Sequence, residues 1–134
     1  MKSRDALSRL KRFEVEEKRR QLAEIESMIA DFNQMALDLD RQIAIEQERS
    51  GVSDSSHYAY PTVAKAAIQR RDNLLASAVG LETKLEVARA SLEESLEELK
   101  KIELMEERDV ERMKLEQARA AERGAAAANV RVAS

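Results

Sequence analysis

The sequence predicts an all-α fold, a long two-helix antiparallel coiled-coil hairpin, and three observations predict it. The first is composition. Hydrophobic residues make up 43% of the 134 positions, yet 21 of them are alanines that bury little area each, aromatics are 3%, and charged residues reach 37%. A chain rich in Ala, Glu, Lys, Leu and Arg is typical of long helices and coiled coils; its few large side chains fill a narrow seam rather than a thick core. The second is the recurrence of apolar residues in steps of three and four, which is helical spacing sustained over a seven-residue repeat. The third is a single concentrated turn signal, from Arg49 to Pro61, in a chain with three glycines and one proline.

The first helix is expected over about residues 3–48. Its stripe reads Leu22, Ile25, Met28/Ile29, Phe32, Met35/Ala36, Leu39 and Ile43, and it thins upstream to Leu7, Leu10, Phe13 and Val15. The turn, about 49–60, contains Gly51, Ser53, Asp54, Ser55 and Ser56. Pro61 suits the first turn of the next helix, where its missing N–H costs nothing. The second helix is expected over about 61–121, with a seam of Ala67, Leu74, Ala78, Leu81, Leu85, Ala88, Leu92, Leu99, Ile102 and Met113. Met28, Met35, Met105 and Met113 read as seam filler. Residues 124–134 are Ala-rich and carry no seam, so a disordered tail is expected there, leaving 1–123 as the hairpin. A lone amphipathic helix cannot bury its stripe, so the two helices fold back with paired numbers summing to about 108–110. That sets Ile25 against Leu85, Phe32 against Ala78 and Leu7 against Ile102, in a rod about 70 Å long with a terminal end and a loop end.

Net charge is −3, distributed unevenly: residues 1–20 hold eight Lys/Arg against four Asp/Glu, and residues 21–60 hold two against eight. The basic cluster Lys11, Arg12, Lys18, Arg19 and Arg20 reads either as a solvated face balanced by Glu14, Glu16 and Glu17 or as a docking surface for an acidic partner. Nucleic acid is a weaker reading, since glutamates interleave and Phe13 is the one aromatic nearby. Both tyrosines, Tyr58 and Tyr60, lie in the turn, where they either anchor an interface or cap the end of the coiled coil. No catalytic constellation is visible. His57 is the sole histidine and sits in the turn, cysteine is absent, the glycines stand apart, and the carboxylates lie on an exposed face. No metal, no cofactor and no enzymatic activity are expected. Met-Lys-Ser-Arg-Asp is followed by no apolar run, and nothing approaches the roughly 20 apolar residues of a membrane span; a cytoplasmic chain without a secretory leader is expected.

Specific segments carry a resemblance. Leu10-Lys-Arg-Phe-Glu-Val-Glu-Glu-Lys-Arg-Arg-Gln21, Ile25-Glu-Ser-Met-Ile-Ala-Asp-Phe32, Leu39-Asp-Arg-Gln-Ile43, the turn His57-Tyr-Ala-Tyr-Pro-Thr62, Gln69-Arg-Arg-Asp-Asn-Leu74 and Leu96-Glu-Glu-Leu-Lys-Lys101 resemble the flagellar export protein family FliJ in its alphaproteobacterial form, over roughly residues 1–104. The resemblance implies a two-helix coiled coil that acts as stalk or adaptor between the hexameric export ATPase and the cytoplasmic linker of the membrane export gate, and that escorts export chaperones. It implies no catalysis, no nucleic acid, no insertion into the membrane, and a cytoplasmic location beside the export apparatus at the inner membrane. By position, Lys11, Arg12, Lys18, Arg19 and Arg20 are the candidates for the ATPase, and Ile43, Gln47, Tyr58, Tyr60 and Ile68 for the gate. The alternatives are a generic self-associating coiled-coil scaffold and a nucleic-acid-binding helical arm.

Overall fold

A computed structural model describes residues 2–133. Two helices account for almost all of them: α1, Lys2–Ser50, of 49 residues, and α2, Thr62–Ala133, of 72. They pack against each other as an all-α hairpin. Contacts group the chain into two compact units, one of Glu17–Leu92, the other joining α1 up to Glu16 with α2 from Glu93 onward.

In the Glu17–Leu92 unit the seam is apolar and regular. Buried or half-buried positions on α1 run Leu22, Ile25, Ile29, Phe32, Ala36, Leu39 and Ile43; those on α2 run Ala64, Ala67, Arg71, Leu74, Ala78, Leu81, Leu85, Ala88 and Leu92. Every step is three or four residues, the repeat that keeps a seam facing its partner. Leu39, Ile43 and Ala67 form the tightest cluster, with Ile68 and Leu74 packed on it. There two large residues of α1 meet an alanine of α2. Polar contacts across the helices join residues 18 to 91, 26 to 89, and 40 to 71. The numbers fall on one helix as they rise on the other, which is antiparallel pairing.

The other unit keeps the spacing and changes the chemistry. Its covered positions are Ser8, Lys11, Glu14 and Val15 on α1, and Ser95, Leu99, Ile102, Glu106 and Asp109 on α2. Pairing is again antiparallel, with Lys11 bound to Glu98, Ser95 to Glu14 and Arg12 to Glu103. Leu7, Leu10 and Phe13 are not the seam here; they are 48%, 64% and 64% exposed. Carrying the phase of the downstream repeat back from Val15 lands on Lys11 and Ser8, so the strong downstream register sets the face and the polar residues are carried inward. The expected contact of Leu7 with Ile102 is replaced accordingly.

Two further expectations are corrected. Met28, Met35, Met105 and Met113 are each more than 40% exposed; Ile29 and Ala36, one position on from Met28 and Met35, hold the seam instead. Pro61 stands at the start of α2, one residue before Thr62, as expected to within a residue, and its carbonyl accepts a bond from Lys65 N–H at 3.1 Å. The disordered tail expected over 124–134 is helix as far as Ala133, with Ser134 outside the described residues. Absence of a seam does not prevent helix, because alanine is the strongest helix former and four of them follow Gly124. No described helix is long and apolar enough to cross a membrane.

Candidate functional site

The loop between the helices is built by its own hydrogen bonds. α1 ends in a left-handed cap: Gly51, at φ +71, donates its N–H to the Gln47 carbonyl at 2.9 Å, the geometry that glycine adopts without steric cost. Asp54 then closes an Asx turn, its carboxylate accepting from the Ser56 N–H at 3.0 Å and the Ser56 hydroxyl at 2.7 Å. Those two bonds hold the Asp54 carboxyl below the usual aspartate value. His57 Nδ1 accepts the Ala59 N–H at 3.0 Å, and its carbonyl accepts the Tyr60 N–H at 3.0 Å.

This framework separates the two tyrosines. Tyr60 is 4% exposed, and its hydroxyl accepts a 2.9 Å bond from the Gln47 amide; it closes the seam above Ile43 and Ala64, the capping alternative of the sequence reading. Tyr58 is 94% exposed and stacks on the His57 ring at 4.6 Å. Of the five residues assigned to the gate, Ile43 and Tyr60 are buried, Gln47 and Ile68 are half-buried, and Tyr58 alone is open. The surface at this loop is therefore Tyr58, His57 and the Asp54–Ser56 turn.

The five candidate cations fall in both units. In the unit that joins α1 up to Glu16 with α2 from Glu93, Lys11 is only 16% exposed and is clamped by Glu98 across the seam and by Glu14 at 2.9 Å. These carboxylates, Glu98 foremost, raise its pKa above the ordinary lysine value. Arg12 reaches Glu103 at 3.5 Å. In the Glu17–Leu92 unit Lys18 donates to the Ser91 carbonyl at 3.2 Å and Arg20 bonds Glu17 at 2.8 Å. Arg19 is engaged as well. Lys11 and Lys18 thus serve the helix pairing itself, whereas Arg12, 54% exposed, and Arg20, 73% exposed, also face outward.

Sequence reasoning missed the apolar side of this region. Leu10 and Phe13 are one helical turn apart on the outer face of α1, with Arg9 and Arg12 beside them in sequence, so cations flank an exposed hydrophobic pair. The signal that finds it is the mismatch of phase: neither residue falls on the 15, 11, 8 progression of the seam. Among the described residues no group of three His, Cys, Asp or Glu side chains has the geometry of a metal site, and the hollows are open grooves beside the seams, such as that lined by Met35, Leu39 and Leu74.

No family model, curated protein or solved structure matches the chain.

Proposed function

We propose that the chain is a soluble, non-enzymatic component of the flagellar type III export apparatus, a stalk or adaptor that joins the export ATPase ring to the cytoplasmic linker of the export gate and receives export chaperones. The observation that carries this reading is the open chemistry of α1 and the loop. Outward arginines flank Leu10 and Phe13 near the start of α1, and a hydrogen-bonded loop presents Tyr58 to solvent. Cations around an apolar pair suit a surface lined with acidic loops, and an exposed tyrosine suits a second, less charged surface. The resemblance over residues 1–104 supplies the identity of the two partners.

The test uses the purified export ATPase. Arg12→Glu with Arg19→Glu and Arg20→Glu is expected to weaken its association by at least tenfold at low salt, with helicity by circular dichroism retained. Leu10→Ala with Phe13→Ala is expected to weaken it without lowering the melting temperature. Tyr58→Ala is expected to spare the ATPase and weaken binding to the gate linker. Unchanged ATPase binding in both α1 variants excludes docking through this surface.

A further inference from the structure

The two units close by different forces. In the Glu17–Leu92 unit the covered repeat is apolar from Leu22 to Ile43 on α1 and, Arg71 apart, from Ala64 to Leu92 on α2. In the unit of α1 up to Glu16 and α2 from Glu93, the repeat reads Ser8, Lys11 and Val15 against Ser95, Leu99, Ile102, Glu106 and Asp109. Only Val15, Leu99 and Ile102 of these are apolar, so little apolar burial holds the helices together there. The Ser8 hydroxyl and Glu106 Oε1 are buried with no hydrogen-bond partner, which opposes closure. Leu7, Leu10, Phe13, Leu104 and Met105 lie outside the seam, each at least 48% exposed.

What remains is charge. Residues 1–16 carry five cations against three carboxylates, and residues 93–109 carry eight carboxylates against three cations. Cross-helix ion pairs join Lys11 to Glu98 and Arg12 to Glu103, the latter at 3.5 Å. The side chains of Glu98, Arg12 and Glu103 are 45%, 54% and 44% exposed, so dissolved salt screens them. We infer that this unit is a salt-gated clasp: residues 5–16 of α1 and 93–109 of α2 separate together as ionic strength rises, while the Glu17–Leu92 unit stays paired. Opposite net charge holds the clasp shut at low salt. Once that attraction is screened, the polar seam no longer offsets its two unsatisfied groups. Opening uncovers Val15, Leu99 and Ile102, and it leaves the α1 segment without the packing on which a helix in water depends. Such a step is local unfolding of one cooperative unit. It differs from fraying, which declines smoothly from a chain end and does not depend on cross-helix charge. The inference is independent of the export reading.

Amide hydrogen exchange of the full chain, read residue by residue by NMR, tests it between about 0.01 M and 1 M salt, where the screening length falls from about 30 Å to about 3 Å. Relative to residues 29–43, the amides of 8–15 and 95–102 are expected to exchange at least about tenfold faster at the high-salt end, all by a common factor. Lys11→Glu with Arg12→Glu changes the net charge of residues 1–16 from +2 to −2. It is expected to give fast exchange over 8–15 at every salt concentration, with 29–43 still protected. Ser8→Ala with Lys11→Leu replaces charge by apolar burial; it is expected to keep 8–15 protected at high salt and to remove most of the salt response. Protection over 8–15 that is indifferent to salt in the wild type overturns the inference. So does a smooth gradient from Asp5 to Glu16, or a salt-induced loss shared equally by residues 29–43. Charge reversal that leaves 8–15 protected overturns it as well.

Discussion

At Ser8, which is 2% exposed, the hydroxyl is buried by helix packing and no described group bonds to it. A desolvated hydroxyl without a partner costs on the order of 1–3 kcal/mol. Ser8→Ala removes that cost and improves helix propensity, so it is expected to stabilise the chain by about 1 kcal/mol in urea unfolding; a loss of stability shows that the hydroxyl is satisfied. Ile29→Ala, in the apolar seam at 9% exposure, is expected to cost about 2–4 kcal/mol in the same assay. Asp54 gives a pH effect of defined sign. Its folded pKa is lowered by Ser56, so its stabilisation of the loop is complete above the ordinary aspartate value and is lost as pH falls through the lowered one. The Ser56 amide resonance is expected to titrate with a midpoint below about 3.9, and a midpoint at or above that value removes the Asx turn. Residues also mark where reading the sequence succeeded. Ile25, Phe32 and Leu85 announce themselves because large apolar side chains fall on the repeat. Ser8, Lys11 and Ser95 do not, because their place in the seam comes from phase, and Leu7, Leu10 and Phe13 mislead by being apolar on the wrong face.

The two helices are terminated by different physics. α1 ends because Gly51 takes a left-handed φ that its neighbours take only with strain, and a Cβ there meets no other atom within 4 Å. Gly51→Ala is therefore expected to cost about 1–2 kcal/mol through backbone conformation alone. Gly80 lies inside unbroken helix, also with open space around it. Gly80→Ala is expected to stabilise by about 0.5–1 kcal/mol. Thermal unfolding of the two variants side by side checks the contrast; shifts of the same sign contradict it. The break itself was legible in sequence to within two residues, since Gly, Ser, Asp and Pro concentrate there. The end of α2 was not, because a falling apolar pattern and a falling helix propensity are different signals, and over 124–133 only the first occurs. The loop's division of labour between Tyr58 and Tyr60 was also hidden. Two tyrosines two positions apart look alike until the Gln47 amide claims one hydroxyl.

Across the whole molecule, each unit separately repeats one arrangement, α1 and α2 antiparallel in a three-and-four repeat, and every proposed surface depends on it. Pairing within one chain turns Leu10, Phe13 and Arg12 outward, closes Tyr60 over the seam and leaves Tyr58 open. In a pairing between chains, the same faces have different neighbours. Fold class and antiparallel register could be read from the sequence because they follow from a repeat and one break. Which outward residues bind could not, because exposure on a helix is decided by the phase of the other face. Spin labels distinguish the two pairings most directly. The chain has no cysteine, so Glu26→Cys with Arg89→Cys, which replaces a cross-helix pair 3.7 Å apart, can be labelled specifically and measured by double electron–electron resonance. A short distance that persists on dilution with excess unlabelled chain is the expected result; loss of that distance on dilution, or a long distance from the start, contradicts the hairpin and every surface built on it.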